Sequence, residues 1–214
     1  LLKVFQDDST KDAPLLSRDI EDALGQLIAE RRQSDRLQAM GLTPTRSAIF
    51  VGPPGVGKTL TARWLAAQLK VPLYVLDLTA VMSSLLGKSG ANLRAAIDFA
   101  KREPCVLLLD EIDAIAKRRS DDTDVGELKR LVTVILQEVD EWPASSVLLA
   151  ATNHPELIDP ALWRRFDLVV QFKTPDEQAV KDAIKRFLGP DYAHFARWID
   201  ILVFAFAGHS FSDI

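Results

Sequence analysis

The chain holds a single cysteine, no surplus of positive charge, and no apolar run long enough to cross a bilayer. One thiol cannot close an intrachain disulfide, so a disulfide-stapled scaffold is excluded. Cys105 lies in the apolar stretch 105–109 and reads as a small buried hydrophobe, which suits a reducing, intracellular setting. The run 201–207 falls far short of the roughly 20 residues that a membrane helix needs, and the first residues lack the basic-then-apolar layout of a secretion signal. Lys and Arg number 26 against 30 Asp and Glu, and the net charge of −4 gives no global attraction to nucleic acid. A cytoplasmic protein of ordinary globular composition is left, 48% hydrophobic and 26% charged over 214 residues, enough for one good core and a small appendage. The start at Leu1 rather than at a methionine, and the stop at Ile214 just after a motif, read as a piece of something longer.

What is present alternates. Residues 1–18 carry little periodicity and read as an extended lead-in. Ile20, Leu24, Leu27, Ile28 and Arg31 recur at helical spacing and predict a helix over 19–40, stopped by Gly41 and Pro44. Apolar runs at 48–51, 73–77, 105–110, 147–151 and 168–172 then predict strands with helices between them, the pattern of a parallel sheet covered by helices. Leu128, Leu131, Val132, Ile135, Leu136 and Val139 form one apolar stripe on a helix at 127–139. Residues 176–188 predict another amphipathic helix, and Gly189-Pro190 marks the passage into a smaller helical unit, so the divisions expected are 1–18, 19–188 and 189–214.

The chemistry begins at GPPGVGKT, residues 52–59, set between the first of these strands and a helical pattern at Leu60, Trp64, Leu65 and Leu69. Glycines there let backbone N–H groups turn inward around phosphate oxygens, while a lysine ammonium and a hydroxyl meet the outer phosphates and magnesium. Pro54, Gly55, Val56, Gly57, Lys58, Thr59 and Leu60 make up the expected cradle, and the dipole of the helix that follows adds favourable field. A plain Gly/Pro turn has no use for Lys-Thr at this offset. The strand at 105–110 ends in Asp110 and Glu111, which brings two carboxylates to the carboxyl edge of the sheet, where ligands bind. Asp110 is expected to hold magnesium with Thr59, and Glu111 to orient the water that attacks a γ-phosphate. Asp113 reads as a local cap or a supporting partner.

The next strand ends in Asn153, whose amide can donate to a phosphate oxygen and accept from water without changing the charge of the site; an Asx turn into His154-Pro155 is the plainer alternative. Arg164 and Arg165 precede the last strand. Most such pairs are solvated, but an arginine supplied to a neighbouring subunit's γ-phosphate accelerates hydrolysis by roughly 10³–10⁵.

GPPGVGKT, LLLDEID, AATN and ALWRRFD, in this order and spacing, resemble the AAA clade of the AAA+ ATPases over most of the chain. The resemblance implies a three-layer αβα P-loop NTPase with a parallel sheet of order 5-1-4-3-2, ATP and Mg2+ as ligands, an assembly of six subunits, and sites shared between neighbours. GLTP at 41–44 matches the approach to the family's phosphate loop, and 208–214 is similar to the G-x-S-x-x-D-I stretch opening the family's helical lid, where Gly208 would come near the adenine. The chain departs from the pattern in two places: Leu85 stands where many protein-unfolding relatives carry a pore aromatic, and His154 stands where the family has an arginine. Leucine can still grip a polypeptide by burying apolar surface, with less area and no flat face. Residues 117–124 would lie near a second pore loop, and mixed charge there reads as a solvated loop. An ATP-driven protein remodeller is the leading expectation. A nucleotide-dependent scaffold or switch, and a DNA-associated clamp loader or initiator, are the alternatives.

Overall fold

The computed structural model describes residues 2–5, 13–83, 89–117 and 125–214. The expected loop around Leu85 and most of 117–124 lie outside the described residues. Among them, six strands make one sheet: β1 (Leu2–Phe5), β2 (Ser47–Val51), β3 (Leu73–Asp77), β4 (Val106–Asp110), β5 (Val147–Thr152) and β6 (Leu168–Gln171). Helices α1 (Arg18–Arg32), α2 (Ser34–Ala39) and α3 (Lys58–Leu69) come first, followed by α4 (Leu78–Ser83), α5 (Ser89–Ala100), α6 (Ala114–Lys117) and α7 (Val125–Asp140). Four more complete the set: α8 (Pro160–Trp163), α9 (Glu177–Leu188), α10 (Tyr192–Phe195) and α11 (Ile199–Ala205).

Read from one edge, the strands run β6-β2-β5-β4-β3-β1. The first five are the expected order 5-1-4-3-2, all parallel. The sixth is an addition: the lead-in contributes β1, antiparallel to β3, with Leu2 opposite Leu76 and Phe5 opposite Leu73.

Strand β2 explains why the sheet is buried on both sides. Ala48 and Phe50 face a cluster built with Ile20, Leu24, Leu27 and Ile28 of α1 and Ala62, Leu65 and Ala66 of α3. Ile49 and Val51 face the opposite cluster, built with Leu93 and Ile97 of α5 and Leu131, Ile135 and Val139 of α7. Successive side chains point to opposite faces of a strand, so an unbroken apolar run is what a doubly covered parallel strand requires. Arg31 ties α1 to the far end of the sheet by donating to the carbonyls of Ala144 and Ser146, and burial lowers its pKa to about 10.

Two local expectations change. The helix expected over 19–40 breaks at Gln33, which leaves helical values at φ −114° and ψ 22°. The apolar spacing stops at Ile28, and α2 has no buried residue to hold it in line with α1. In α3 the face against the sheet is Lys58, Thr61, Ala62, Leu65 and Ala66, while Trp64 and Leu69 pack at its margin. Small residues there let the helix approach the strands that carry the site.

Cys105 is 1% exposed, its thiol donates to the Ala100 carbonyl at 3.1 Å, and burial pushes its pKa up to about 11. Thiolate is the reactive form. The native protein should therefore leave Cys105 unmodified by a disulfide reagent at pH 8 over hours and yield one equivalent on unfolding; rapid native labelling would contradict its burial.

After β6, Val180 and Ile184 of α9 pack with Ile199 of α11 in a third, smaller cluster. Thus α9 shares its core with the segment beyond Gly189. No helix among the described residues is long and apolar enough to cross a membrane.

Candidate active site

The chain leaves β2 at Val51 and turns sharply, with Gly52 N–H donating to the Thr152 carbonyl at 3.2 Å. Gly52 has φ +154°, and a Cβ there would stand 2.2 Å from the Phe172 carbonyl oxygen, so only glycine fits between β2 and the end of β6. Gly57, at φ +94°, reverses the chain into the first turn of α3. Positive φ at this point costs glycine nothing. The loop crest runs through exposed Pro54 and through Gly55 to Val56, which is buried. No side chain caps the first turn of α3, which carries the positive end of the helix dipole at the loop.

Lys58 is the first residue of that turn and is 8% exposed. Its ammonium spends its three donors on the Gly52 carbonyl at 2.7 Å, the Pro53 carbonyl at 2.8 Å and Asn153 Oδ1 at 2.7 Å. Burial lowers its pKa, against the pull of Asp110 and Asp113. To meet a phosphate oxygen the ammonium must release one of these three acceptors. Asn153 is accordingly a partner of Lys58, at the edge of the sheet where it was expected. Behind it, Asp113 is buried and accepts from Thr152 Oγ1 at 2.9 Å and from Asn153 N–H at 3.3 Å, which fixes the end of β5.

Thr59 Oγ1 donates to Asp110 Oδ2 at 3.2 Å. The pKa of Asp110 is raised, first by burial and further by the neighbouring Glu111 carboxylate, while bonds from Thr59 and the Glu111 N–H act the other way. Magnesium fits this pair: a hydroxyl and a carboxylate share one spot, and the carboxylate carries charge that its surroundings leave uncompensated. Among the described residues no group of three His, Cys, Asp or Glu gathers into a metal cage.

The raised pKa gives a stability prediction with a definite sign. Folded Asp110 holds its proton above the ordinary value of 3.8, so ionisation penalises the fold increasingly as pH rises through the folded pKa. Asp110→Asn should therefore raise the Tm of the nucleotide-free protein at pH 7, with the gain fading below pH 4, where both states are protonated. A Tm unchanged at pH 7 would mean that the carboxylate is not penalised there.

Glu111 adopts φ +57°, a left-handed conformation that non-glycine residues occupy at a cost of about 1–3 kcal/mol. Three hydrogen bonds hold it: Glu111 N–H donates to the Asp110 side chain at Oδ1, Ala114 N–H to the Glu111 carbonyl, and Ile112 N–H to the Ala151 carbonyl. The turn sends the Glu111 side chain towards Thr79, at the start of α4, whose hydroxyl donates to Oε2 at 2.5 Å. Thr79 was not legible in the sequence, since 32 residues separate it from Glu111.

The arginines lie elsewhere. Arg165 pairs with Asp140 at the end of α7, and Arg164 is exposed; neither makes a bond or ion pair with Lys58, Asp110, Glu111 or Asn153. His154, at the position where an arginine was the expected residue, pairs with Glu156 at 3.0 Å.

Beside the loop crest opens a cleft of 340 Å³ lined by Ala13, Leu15, Val56, Leu60, Phe187 and Ile214 among others. Its mixed apolar walls and its place beyond the phosphate cradle suit a nucleobase. Arg186 of α9, also in the lining, donates to the Ala13 carbonyl and ties the lead-in to α9. Gly208 turns the chain at φ +80° but is not part of this wall; Phe211 and Ile214, which follow it, are. Ser212 N–H donates to the Gly55 carbonyl at 3.3 Å, so the end of the chain rests on the phosphate loop.

The family profile described as ATPase family associated with various cellular activities (AAA) matches residues 48–174. An AAA family ATPase of Sinorhizobium fredii, y4kL, is 37% identical over 86% of this chain and 55% of its own length. The ATP-dependent zinc metalloprotease FtsH of Thermobaculum terrenum is 34% identical over 72% of the chain and 25% of its own length. The 26S proteasome regulatory subunit 6A of Schizosaccharomyces pombe is 32% identical over 77% of the chain and 39% of its own length. The chain thus spans between a quarter and about half of the length of these curated relatives. The solved AAA domain of FIGL-1 in complex with ADP has the same fold, with a TM-score of 0.71, 24% identity, and coverage of 87% of this chain and 63% of that one.

Proposed function

The chain belongs to the AAA family of ATPases, and from that premise we propose that it is the engine of a ring-forming motor of six protomers that hydrolyses ATP to remodel, extract or unfold a protein partner in the cytoplasm. The observation that carries this reading is the meeting of Lys58, Thr59, Asp110, Glu111 and Asn153 at one edge of the sheet, with neither Arg164 nor Arg165 among them. A cradle complete but for its arginine is what a site shared between protomers requires.

The N–H groups at the start of α3 and the Lys58 ammonium receive the β- and γ-phosphates. Magnesium, when bound by Thr59 and Asp110, supplies charge neutralisation on those oxygens. Glu111 orients the attacking water, with the Thr79 hydroxyl steadying its carboxylate beforehand. Asn153 meets the γ-phosphate beside Lys58. A guanidinium from the adjacent protomer then meets the charge that develops as the bond breaks. The cluster that Val180 and Ile184 share with Ile199 supports a helical unit that starts at α9.

A metalloprotease and a proteasome regulatory subunit among the relatives favour a polypeptide client over nucleic acid. Phosphate release per protomer, measured in magnesium and ATP over a hundredfold range of protein concentration, tests the reading. A rate that climbs as protomers assemble supports it; a flat profile removes the shared site, and no release at any concentration removes the motor.

A further inference from the structure

The sheet ends on one side at β6, which pairs with β2 alone. Phe172 N–H donates to the Val51 carbonyl, so the backbone groups of Leu168, Val170 and Phe172 face β2. Successive residues of an extended strand alternate in direction, and the N–H and C=O groups of Val169, Gln171 and Lys173 therefore face away from the sheet. Among the described residues these outward groups have no hydrogen-bond partner. The register with β2 runs unbroken from Leu168 to Gln171, and up to Phe172 the strand has no charge, proline or bulge of the kind that blunts an open edge. Beside this edge lies a cleft of 770 Å³, whose lining takes Val169, Gln171 and Lys173 from the edge, Asp19 from the first turn of α1, and Asp176 and Asp182 from the cap and body of α9. The three carboxylates are exposed and, among the described residues, form no ion pair. Lys173 is the one cation in the lining.

We propose that this cleft is a docking groove in which a partner protein lays an extended segment bearing lysine or arginine against β6 as a further strand. The groove does not depend on how the nucleotide site is divided between protomers. At roughly 3.3 Å per residue the edge from Val169 to Lys173 spans about 13 Å, room for about four or five residues of an added strand. Main-chain bonds to such an edge supply affinity with little sequence preference, and side chains at alternate positions choose the partner. Here the choice is electrostatic: the walls set three carboxylates against one ammonium, so they draw cationic side chains and repel anionic ones. The same carboxylates repel nucleic acid. They also disfavour a second copy of this chain, because β6 laid against β6 would bring Asp19, Asp176 and Asp182 towards their own counterparts. An apolar edge left bare pairs indiscriminately, and an acidic wall beside it restricts that pairing to basic strands.

Three short synthetic peptides test the groove: one alternating valine and lysine, one alternating valine and glutamate, and the lysine peptide with every backbone amide N-methylated. Fluorescence anisotropy of the labelled peptides gives affinity, and hydrogen exchange read by mass spectrometry gives the site. The lysine peptide should bind and slow exchange across 168–174 by about tenfold or more, while the glutamate and N-methylated peptides bind at least about tenfold more weakly. Gln171→Pro removes one outward donor and leaves the pairing of β6 with β2, so it should weaken the lysine peptide by about tenfold. Asp19→Lys combined with Asp182→Lys changes exposed side chains only, keeps the test open if the proline disturbs folding, and should reverse the preference so that the glutamate peptide binds more tightly. Equal binding of the lysine and glutamate peptides, or a preference that the double charge reversal leaves unchanged, would overturn the basic partner. Undiminished binding of the N-methylated peptide, protection confined to segments other than 168–174, or no binding of the lysine peptide at millimolar concentration would overturn strand addition. Protection of 168–174 that grows with protein concentration and without peptide would give the edge to a second copy, and overturn the proposal as well.

Discussion

Glu111→Gln is expected to lower ATP turnover by roughly 10²–10⁴-fold while leaving nucleotide affinity within a few-fold. Glutamine keeps the shape of the side chain, and its carbonyl oxygen can still accept from Thr79, so the turn at φ +57° survives. What it loses is the negative charge that draws a proton from the attacking water as the bond to the γ-phosphate forms. Thr79→Ala offers a milder version, a fall of a few-fold to tenfold, because it frees the carboxylate without neutralising it. Single-turnover phosphate release measures the step directly. A Glu111→Gln protein with unaltered turnover would leave this carboxylate without a catalytic role and return the site to a nucleotide-dependent switch.

The second large effect is on binding. Lys58→Ala should weaken ATP affinity by roughly 10²–10³-fold, about 3–4 kcal/mol, in the range found when one partner of a buried charged contact is removed. The ammonium is buried at 8% exposure and is the donor that two loop carbonyls and Asn153 share. Truncation strips the cradle of its charge and leaves Asn153 Oδ1 without that donor. Titration with a fluorescent ATP analogue reads the loss, and near-native melting of the variant separates it from unfolding. Affinity within twofold of the unmodified protein would mean that the phosphates lie somewhere other than under the 52–59 loop.

The parts of the site carried by local pattern were the parts legible in the sequence. Gly52 to Thr59, Asp110 and Asn153 each sit at the end of an apolar strand, and parallel strands bring their carboxyl ends to one edge whatever the details. Strand order came from the resemblance, because periodicity alone does not rank the strands. Contacts between distant segments escaped. Thr79 reaches Glu111 across 32 residues, and Asp140 reaches Arg165 from the end of another helix, so neither pairing leaves a trace in spacing. The cleft beside the loop crest gathers residues from four separate stretches, around 13–15, 56–60, 183–187 and 211–214; Gly208 was expected near the adenine, whereas the residues of that stretch that line this cleft are Phe211 and Ile214. Strand β1 escaped because four residues in a polar lead-in carry too little alternation, and pairing with β3 supplies what propensity does not. The amphipathic stripe of α9 does not reveal in sequence which partner covers it; Val180 and Ile184 pack with Ile199.

One mixing experiment decides whether the site is divided between protomers. Lys58→Ala protomers lack the cradle but keep their arginines, and protomers carrying both Arg164→Ala and Arg165→Ala keep the cradle but lack the arm. Each alone should release almost no phosphate. Mixed in equal amounts and allowed to assemble, they should regain a measurable fraction of the unmodified rate, because some interfaces then pair an intact cradle with an intact arginine. A mixture no more active than its two components would contradict a site divided between protomers.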